Sequence, residues 1–300
     1  MRFYHSKGGR LIDPAIKLFT NKIIPSLLYG IEVWGRKEQA LSGLESIQNT
    51  FMRCVLALPK GAPTTLMRAE LGLPSFRARA HLALLKWWKK NTLSVIDFFS
   101  HQCFNSATKV KGPLSAFIDV IISLYTVPDD LLAELGNNKD LREWVFLQDA
   151  KIDRSLIVQS RCSPWFKTFK IDHCRSPYLA NLNLSKLRVE FSALRFQSMP
   201  SSVLSGRYAQ IPLSHRLCIC GNPVVEDLPH YLLECPLYAD PRRKFLIKII
   251  PGVFSSSQDK LRYLLSDMDP FVTQRVATFA LAARKIRAGL VANTVDLLNN

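Results

Sequence analysis

Apolar residues recur every three or four positions along most of the chain, as they do on the buried face of a helix. The first such stretch contains Leu41, Leu44, Ile47, Phe51 and Val55. This spacing predicts an amphipathic helix. The strict alternation that marks strands is scarce. The pattern therefore predicts a mainly α protein built around a helical bundle.

Helix punctuation supports this fold class. Thr64 or Thr65 can cap a short helix that Gly72 closes, and Ser75 can cap the next one. The periodicity predicts further helices over 114–125, 141–159, 178–196, 242–250 and 271–290.

Composition shifts along the chain predict four segments. They are a basic helical segment over 1–92, a helical connector over 93–197, a linker over 198–215 and a cysteine-containing segment with C-terminal helices over 216–300. The small residues at 198–202 mark the clearest boundary.

The charge balance favours a polyanionic partner. Among 300 residues, 40 Lys and Arg face 24 Asp and Glu, which gives a net charge of +16. The first 100 residues carry 15 basic and 6 acidic side chains. Nucleic acid is the expected partner, with an anionic membrane surface as the second choice.

Membrane insertion and secretion are not expected. No uncharged apolar run reaches the ~18 residues of a membrane helix, and no apolar core follows the N-terminal charges. We expect an intracellular protein of the nucleus, the cytoplasm or both, whose seven cysteines are thiols or metal ligands.

Three cysteines and one histidine form the pattern C-x-C-x9-H-x4-C, with Cys218, Cys220, His230 and Cys235 as its members. Zinc favours four such ligands in a tetrahedron. Asp227 can cap a short helix that carries His230. The pattern predicts a structural zinc site in a small zinc-knuckle segment. The alternative is a group of buried thiols beside an ordinary histidine.

Two groups of residues are candidate nucleic-acid contacts. Helical projection from Ser75 places Arg79, Lys86 and Lys90 in one line, with Lys89 nearby. Trp87 lies near the boundary of this face and could stack on a base or pack in the core. The second group, Arg242, Arg243 and Lys244, follows the cysteine motif. Both groups could instead be ordinary solvated faces.

Several stretches together resemble a known family. They are 28–35 (LYGIEVWG), 44–51 (LESIQNTF), 70–74 (ELGLP), 216–221 (RLCICG) and 230–238 (HYLLECPLY). This combination resembles the region after the polymerase core in reverse transcriptases of non-LTR (LINE-type) retrotransposons, including the CCHC zinc knuckle near their C-terminus.

The resemblance implies a thumb-like helical bundle over 1–92 and a zinc knuckle that binds element RNA or target DNA, within an element ribonucleoprotein. The fingers and palm of the polymerase have no counterpart. The paired aspartates that would hold two divalent ions are also absent. We therefore expect a C-terminal, non-catalytic, nucleic-acid-binding fragment.

Two other functions stay open. Some relatives carry an endonuclease dependent on divalent metal, but the acids after Cys235 lack a convincing nuclease pattern. The knuckle could also serve as a zinc-stabilised protein-interaction module, which would keep its partner at high salt.

Overall fold

The computed structural model describes residues 12–93, 113–134, 136–160, 164–170 and 172–298. Within these ranges the protein is mainly α, as predicted. Extended pairing in the described chain is limited to one isolated antiparallel bridge between Leu217 and Val225.

The helices are numbered in chain order. Those before residue 160 are α1 (Ile12–Leu18), α2 (Ile24–Leu27), α3 (Ile31–Trp34), α4 (Glu38–Leu56), α5 (Thr64–Leu71), α6 (Phe76–Leu93), α7 (Pro113–Tyr125), α8 (Asp129–Ala133) and α9 (Asn138–Gln159). Those after residue 160 are α10 (Phe166–Phe169), α11 (Tyr178–Asn181), α12 (Ser185–Arg195), α13 (Ser202–Tyr208), α14 (Ala239–Phe245), α15 (Ser257–Leu265) and α16 (Pro270–Leu298). Shorter turns are π-helical at Phe19–Ile23 and His230–Glu234, and 3-10 at Leu213–His215 and Pro236–Tyr238.

The chain forms two compact units. The N-terminal unit contains Asp13–Met52 and Gly72–Leu156, and the C-terminal unit contains Arg53–Leu71 and the chain from Ile157 onward. The four segments predicted along the sequence remain predictions.

Helix α6 runs through the core of the N-terminal unit. Phe76, Leu84 and Leu85 are fully buried and pack with apolar residues of α7 and α9. The helix begins as predicted, because the Ser75 hydroxyl accepts a hydrogen bond from the Ala78 backbone N–H at 3.0 Å. The Asp149 carboxylate fixes this cap, since it accepts from both the backbone N–H and the hydroxyl of Ser75 at 2.8 Å.

The buried face of α4 is rotated from its predicted position. Leu41 is buried, but Ile47 is 41% exposed and its neighbour Gln48 is fully buried. The Gln48 Nε2 donates to the Pro74 carbonyl at 2.8 Å, which offsets the cost of burying an amide. This tertiary contact lets a polar residue take the core position.

Helices α12 and α16 form the main helix pair of the C-terminal unit. Both helices carry fully buried apolar side chains, which are Phe191 and Leu194 on α12 and Val276 and Phe279 on α16. Helices α14 and α15 also pack on α16.

Three predicted segments differ from the structure. The helix predicted over 178–196 is broken between α11 and α12, where Leu182 and Leu184 are extended beside turn-favouring asparagines. The helix predicted over 242–250 is α14, which begins earlier, since its first turn accommodates Pro241, and ends at Phe245. The predicted linker contains α13, which the Ser201 hydroxyl caps by accepting from the Leu204 N–H.

Candidate metal centre

Cys218 and Cys220 lie on a tight turn of extended chain. The Leu217–Val225 bridge pairs the two sides of the turn, and the Cys218 N–H donates to the Val224 carbonyl at 2.8 Å. Gly221 follows with a φ of +88°, which favours glycine over any residue with a Cβ. The turn thus brings both thiols to one side.

His230 and Cys235 come from the turn that follows. His230–Glu234 is π-helical, and the Cys235 N–H donates to the His230 carbonyl at 2.7 Å. The predicted cap is present, because the Asp227 Oδ1 accepts from the His230 N–H at 2.9 Å. The sequence predicted a helical start here but not the π-helical turn.

The four side chains predicted as ligands converge. The Sγ atoms of Cys218 and Cys235 are 3.7 Å apart, and the Cys220 Sγ is 3.6 Å from the His230 Nε2. One ligand atom from each residue lies within 4.8 Å of the other three. The cluster could therefore hold one metal ion.

Burial separates this cluster from solvent. Cys218, His230 and Cys235 are each less than 7% exposed, and Cys220 is half-buried. Burial raises the pKa of the Cys218 and Cys235 thiols. A bound cation would favour the thiolate form of the same groups.

Arg242 stabilises the turn at His230–Cys235, which is called here the metal turn. Its Nε donates to the Leu232 carbonyl at 2.9 Å, and its Nη2 donates to the Cys235 carbonyl at 2.7 Å. The guanidinium thereby satisfies two carbonyls at the end of the turn. Arg242, predicted from the sequence as a phosphate contact, thus also has a structural role at the turn, and its contact with nucleic acid stays a prediction.

Glu226 and two aromatic rings anchor the centre within the C-terminal unit. The Glu226 carboxylate is fully buried, accepts from the Ser202 N–H at 2.5 Å and pairs with Arg287 of α16. The Tyr231 ring lies 4.8 Å from the Tyr238 ring, and both contact Phe279 of α16.

Arg243 and Lys244 keep the exposure that the sequence predicted. Arg243 pairs with the exposed Asp240, three residues before it. The Lys244 Nζ lies 5.4 Å from the centre of the Phe245 ring. Both charges remain available to an anion in solution.

The predicted basic line on α6 differs in exposure from residue to residue, and its contact with nucleic acid stays a prediction. Lys90 is exposed, while Arg79, Lys86 and Trp87 are half-buried. Lys89 was expected near this line, which is wrong, since it is 1% exposed and donates its Nζ to the Leu131 carbonyl at 2.7 Å. It lies one turn beyond the buried Leu85 and shares its face.

Arg142 of α9 joins this basic group, which the sequence did not predict. The Cζ atoms of Arg79 and Arg142 lie 5.7 and 5.5 Å from the centre of the Phe146 ring. Burial and the nearby Arg142 charge lower the pKa of Arg79 to about 10. The same two causes lower the pKa of Lys86. Within the N-terminal unit, these cations repel one another.

A buried ionic network in the C-terminal unit is the largest feature that sequence reasoning missed. Arg195 is fully buried, and its Nε and Nη2 donate to the two Glu70 carboxylate oxygens at 2.7 and 2.9 Å. Its Nη1 donates to Asp267 at 3.1 Å. Its Cζ lies 4.7 Å from the centre of the Phe169 ring. No local pattern connects these residues, which are distant in sequence.

Fold and site together define a mainly α protein with a Cys3His cluster that could hold a metal ion. Comparison of the chain with protein-family models, curated proteins and solved structures gives no match. Among the helices of the described ranges, none is both long and apolar enough to cross a membrane.

Proposed function

We propose that the protein is a non-catalytic nucleic-acid-binding fragment of a retrotransposon reverse transcriptase, organised by a structural zinc ion. The zinc ligands are Cys218, Cys220, His230 and Cys235. The partner is RNA, DNA or both, within an element ribonucleoprotein of the nucleus or cytoplasm. The family assignment in this proposal depends on the sequence resemblance.

The geometry of the four ligand atoms carries the proposal. Zinc lies about 2.3 Å from a thiolate and about 2.0 Å from an imidazole nitrogen, so a tetrahedral site separates sulfurs by about 3.8 Å and sulfur from nitrogen by about 3.5 Å. The corresponding distances here are 3.7 Å between Cys218 and Cys235 and 3.6 Å between Cys220 and His230. Two of the six ligand distances therefore match a tetrahedral site, and the others, all within 4.8 Å, need at most a small adjustment of the side chains.

The donor set favours zinc and a structural role. Three thiolates and one imidazole suit a borderline-soft cation better than magnesium or calcium, which prefer oxygen. Four protein ligands fill a tetrahedral site and leave no position for a reactive water. In this proposal the zinc orders the turn that precedes α14 and takes part in no reaction.

Charge supports nucleic acid as the partner. The chain carries a net charge of +16, which a polyanion would neutralise, and Lys90, Arg243 and Lys244 are exposed. Such cations contact phosphates mainly, so they bind nucleic acid without reading its sequence. No specific observation in the described structure favours the endonuclease or the protein-interaction module.

The test combines metal analysis with a salt series on the full chain. We expect one zinc per chain, loss of that zinc in Cys235→Ser, and retention in Cys174→Ser, because Cys174 is exposed and outside the cluster. Binding to RNA and single-stranded DNA should weaken steeply as salt rises.

Two results would overturn the proposal. A chain that is free of metal yet equally folded would contradict the structural role of zinc. An affinity that does not change with salt concentration would contradict the phosphate contacts. Magnesium-dependent nicking of plasmid DNA would favour the endonuclease instead, and a protein partner held at high salt would favour the interaction module.

A further inference from the structure

We propose that a cation–aromatic surface next to the metal centre is a stacking site for the bases of single-stranded nucleic acid. This surface, called here the α14–α16 ladder, consists of Lys244, Phe245, Arg275 and Phe271. The inference rests on the proposed function and names the site and the form of nucleic acid that it takes.

The four side chains alternate between cation and ring. The Lys244 Nζ lies 5.4 Å from the centre of the Phe245 ring, and the Arg275 Cζ lies 5.9 Å from the same centre. The Arg275 Cζ also lies 5.4 Å from the centre of the Phe271 ring. All three distances are within the range of cation–π attraction, about 6 Å. Packing of α14 on α16 produces this arrangement.

The ladder is open to a ligand at its outer end. Phe271 is 59% exposed, although a large apolar ring gains free energy when it is covered. The described chain leaves this ring largely uncovered, so a further contact can form there.

Nearby carboxylates are already engaged. Asp269 accepts the backbone N–H of Phe271 at 2.8 Å and that of Val272 at 3.3 Å, as a cap of α16. Asp240 pairs with Arg243. The cap does not neutralise Asp269, but Lys244 and the exposed Lys248 outnumber its single charge and attract a polyanion.

A single strand fits this surface better than a duplex or an apolar protein face. Unpaired bases stack on exposed aromatic rings, while flanking Lys and Arg follow the phosphates. Bases in a duplex are already stacked on one another. An apolar protein partner would bury the same cations without neutralising them, which costs free energy.

The metal turn positions the ladder. Helix α14 follows the Pro236–Tyr238 turn directly, and Arg242 of α14 donates to the Leu232 and Cys235 carbonyls. The turn that carries His230 and Cys235 therefore also fixes the positions of Lys244 and Phe245.

The test measures affinity of the full, zinc-loaded chain for a fluorescein-labelled oligothymidylate and for a duplex over a salt series. Phe271→Leu keeps an apolar side chain but removes the ring, and it should weaken single-strand binding about fivefold to a hundredfold, the range for loss of one stacked base. Phe271→Tyr keeps an aromatic ring and should bind the single strand as tightly as the unaltered chain. Met268→Ala is the matched control, because Met268 is 79% exposed and outside the ladder.

The salt series separates stacking from phosphate contact. Phe271→Leu should leave the slope of log affinity against log salt unchanged, whereas Lys244→Gln should reduce it by about 0.7, the value for one phosphate on a single strand. Equal losses for single strand and duplex would overturn the stacking site.

Failure of this inference differs from failure of the proposed function. Salt-dependent binding by the unaltered chain, with no effect of Phe271→Leu or Lys244→Gln, overturns the ladder and leaves the proposed function standing. Absence of any binding by the unaltered chain overturns both.

Discussion

Arg242 and Arg243 are neighbours in sequence with different tasks. Arg242 is half-buried and bonds two carbonyls of the metal turn, whereas Arg243 is exposed and pairs with Asp240. A bond from a charged donor to a carbonyl contributes more than a surface ion pair, which contributes little. Neutralising each residue should therefore have separate effects.

Arg242→Ala should lower the free energy of unfolding by about 2 kcal/mol, because charge-assisted bonds to two buried carbonyls are lost. It should also weaken zinc binding. Arg243→Ala should leave both unchanged and reduce only the salt slope of nucleic-acid binding. Denaturant titration and competition with a chromophoric zinc chelator measure these effects. Equal behaviour of the two variants would contradict the assignment.

His81 lies in the core of the N-terminal unit and is 4% exposed. Its Nδ1 is 3.1 Å from the Tyr125 hydroxyl. Burial is the main cause that lowers the pKa of His81 from 6.5 to about 4, and the Arg77 charge adds to it. The folded protein therefore keeps this imidazole neutral at pH values where the unfolded chain would protonate it.

The N-terminal unit should lose stability as the pH falls from 6.5 to about 4, the two pKa values of His81. The unfolded chain binds more protons in this window, so the contribution is fully present above pH 6.5 and amounts to about 3 kcal/mol. Urea titrations followed by tryptophan fluorescence report mainly on this unit, which contains four of the five tryptophans, and Trp165→Phe removes the signal of the other unit. His81→Gln should flatten the dependence, and an unchanged slope would contradict this account.

At the scale of residues, sequence spacing predicts only those groups whose members are close together along the chain. The four candidate metal ligands lie within eighteen consecutive residues, so their pattern is visible in the sequence. Arg195, Glu70 and Asp267 meet only after the chain folds, and Lys89 reaches a carbonyl on another helix. Such partners carry no signature in the neighbouring sequence.

At the scale of elements, apolar periodicity predicted the existence of helices better than their ends. Helix α7 occupies Pro113–Tyr125, almost as predicted over 114–125. The helix predicted over 178–196 is wrong near its start, because Leu182 is buried on an extended backbone instead of continuing the helix. Burial of that side chain outweighs the periodic pattern.

Gly221 shapes the turn that carries Cys218 and Cys220. Nothing lies within 4 Å of a Cβ built at this position, so a substitution meets strain from its φ of +88° and not a clash. Gly221→Ala should destabilise the turn by about 1 kcal/mol, and zinc affinity should fall about fivefold.

Gly252→Ala is the matched control for this variant. Its added Cβ also meets nothing within 4 Å, and its backbone is not left-handed. Chelator competition compares the two proteins. A loss of zinc affinity in both variants, or in neither, would contradict the role of the left-handed turn.

At the scale of the whole molecule, the chain leaves one unit and returns to it. Residues 53–71 belong with the chain from Ile157 onward and not with the residues that immediately flank them. Glu70 of α5 accordingly pairs with Arg195 of α12. Composition and linker signals divide a chain only into consecutive segments. They therefore cannot predict that 53–71 belongs to the same unit as the chain from Ile157 onward.

Zinc removal should affect the C-terminal unit locally. After chelation, amide hydrogens in 217–235 and α14 should exchange faster, because the turn loses the ion that joins its two halves. The core of the N-terminal unit should keep its protection. Hydrogen exchange followed by mass spectrometry measures both, and readdition of zinc is the control. Uniform loss of protection, or none, would contradict a local role.

The closeness of the four ligands along the chain also sets the order of assembly. Closing a loop of eighteen residues costs little chain entropy, whereas joining Glu70 to Arg195 closes a loop of more than a hundred residues. During synthesis on the ribosome, Glu70 emerges long before Arg195, and Asp267, the other carboxylate that Arg195 contacts, comes later still. The metal turn can capture its ion once residue 235 has emerged, while Asp267 is still to be added.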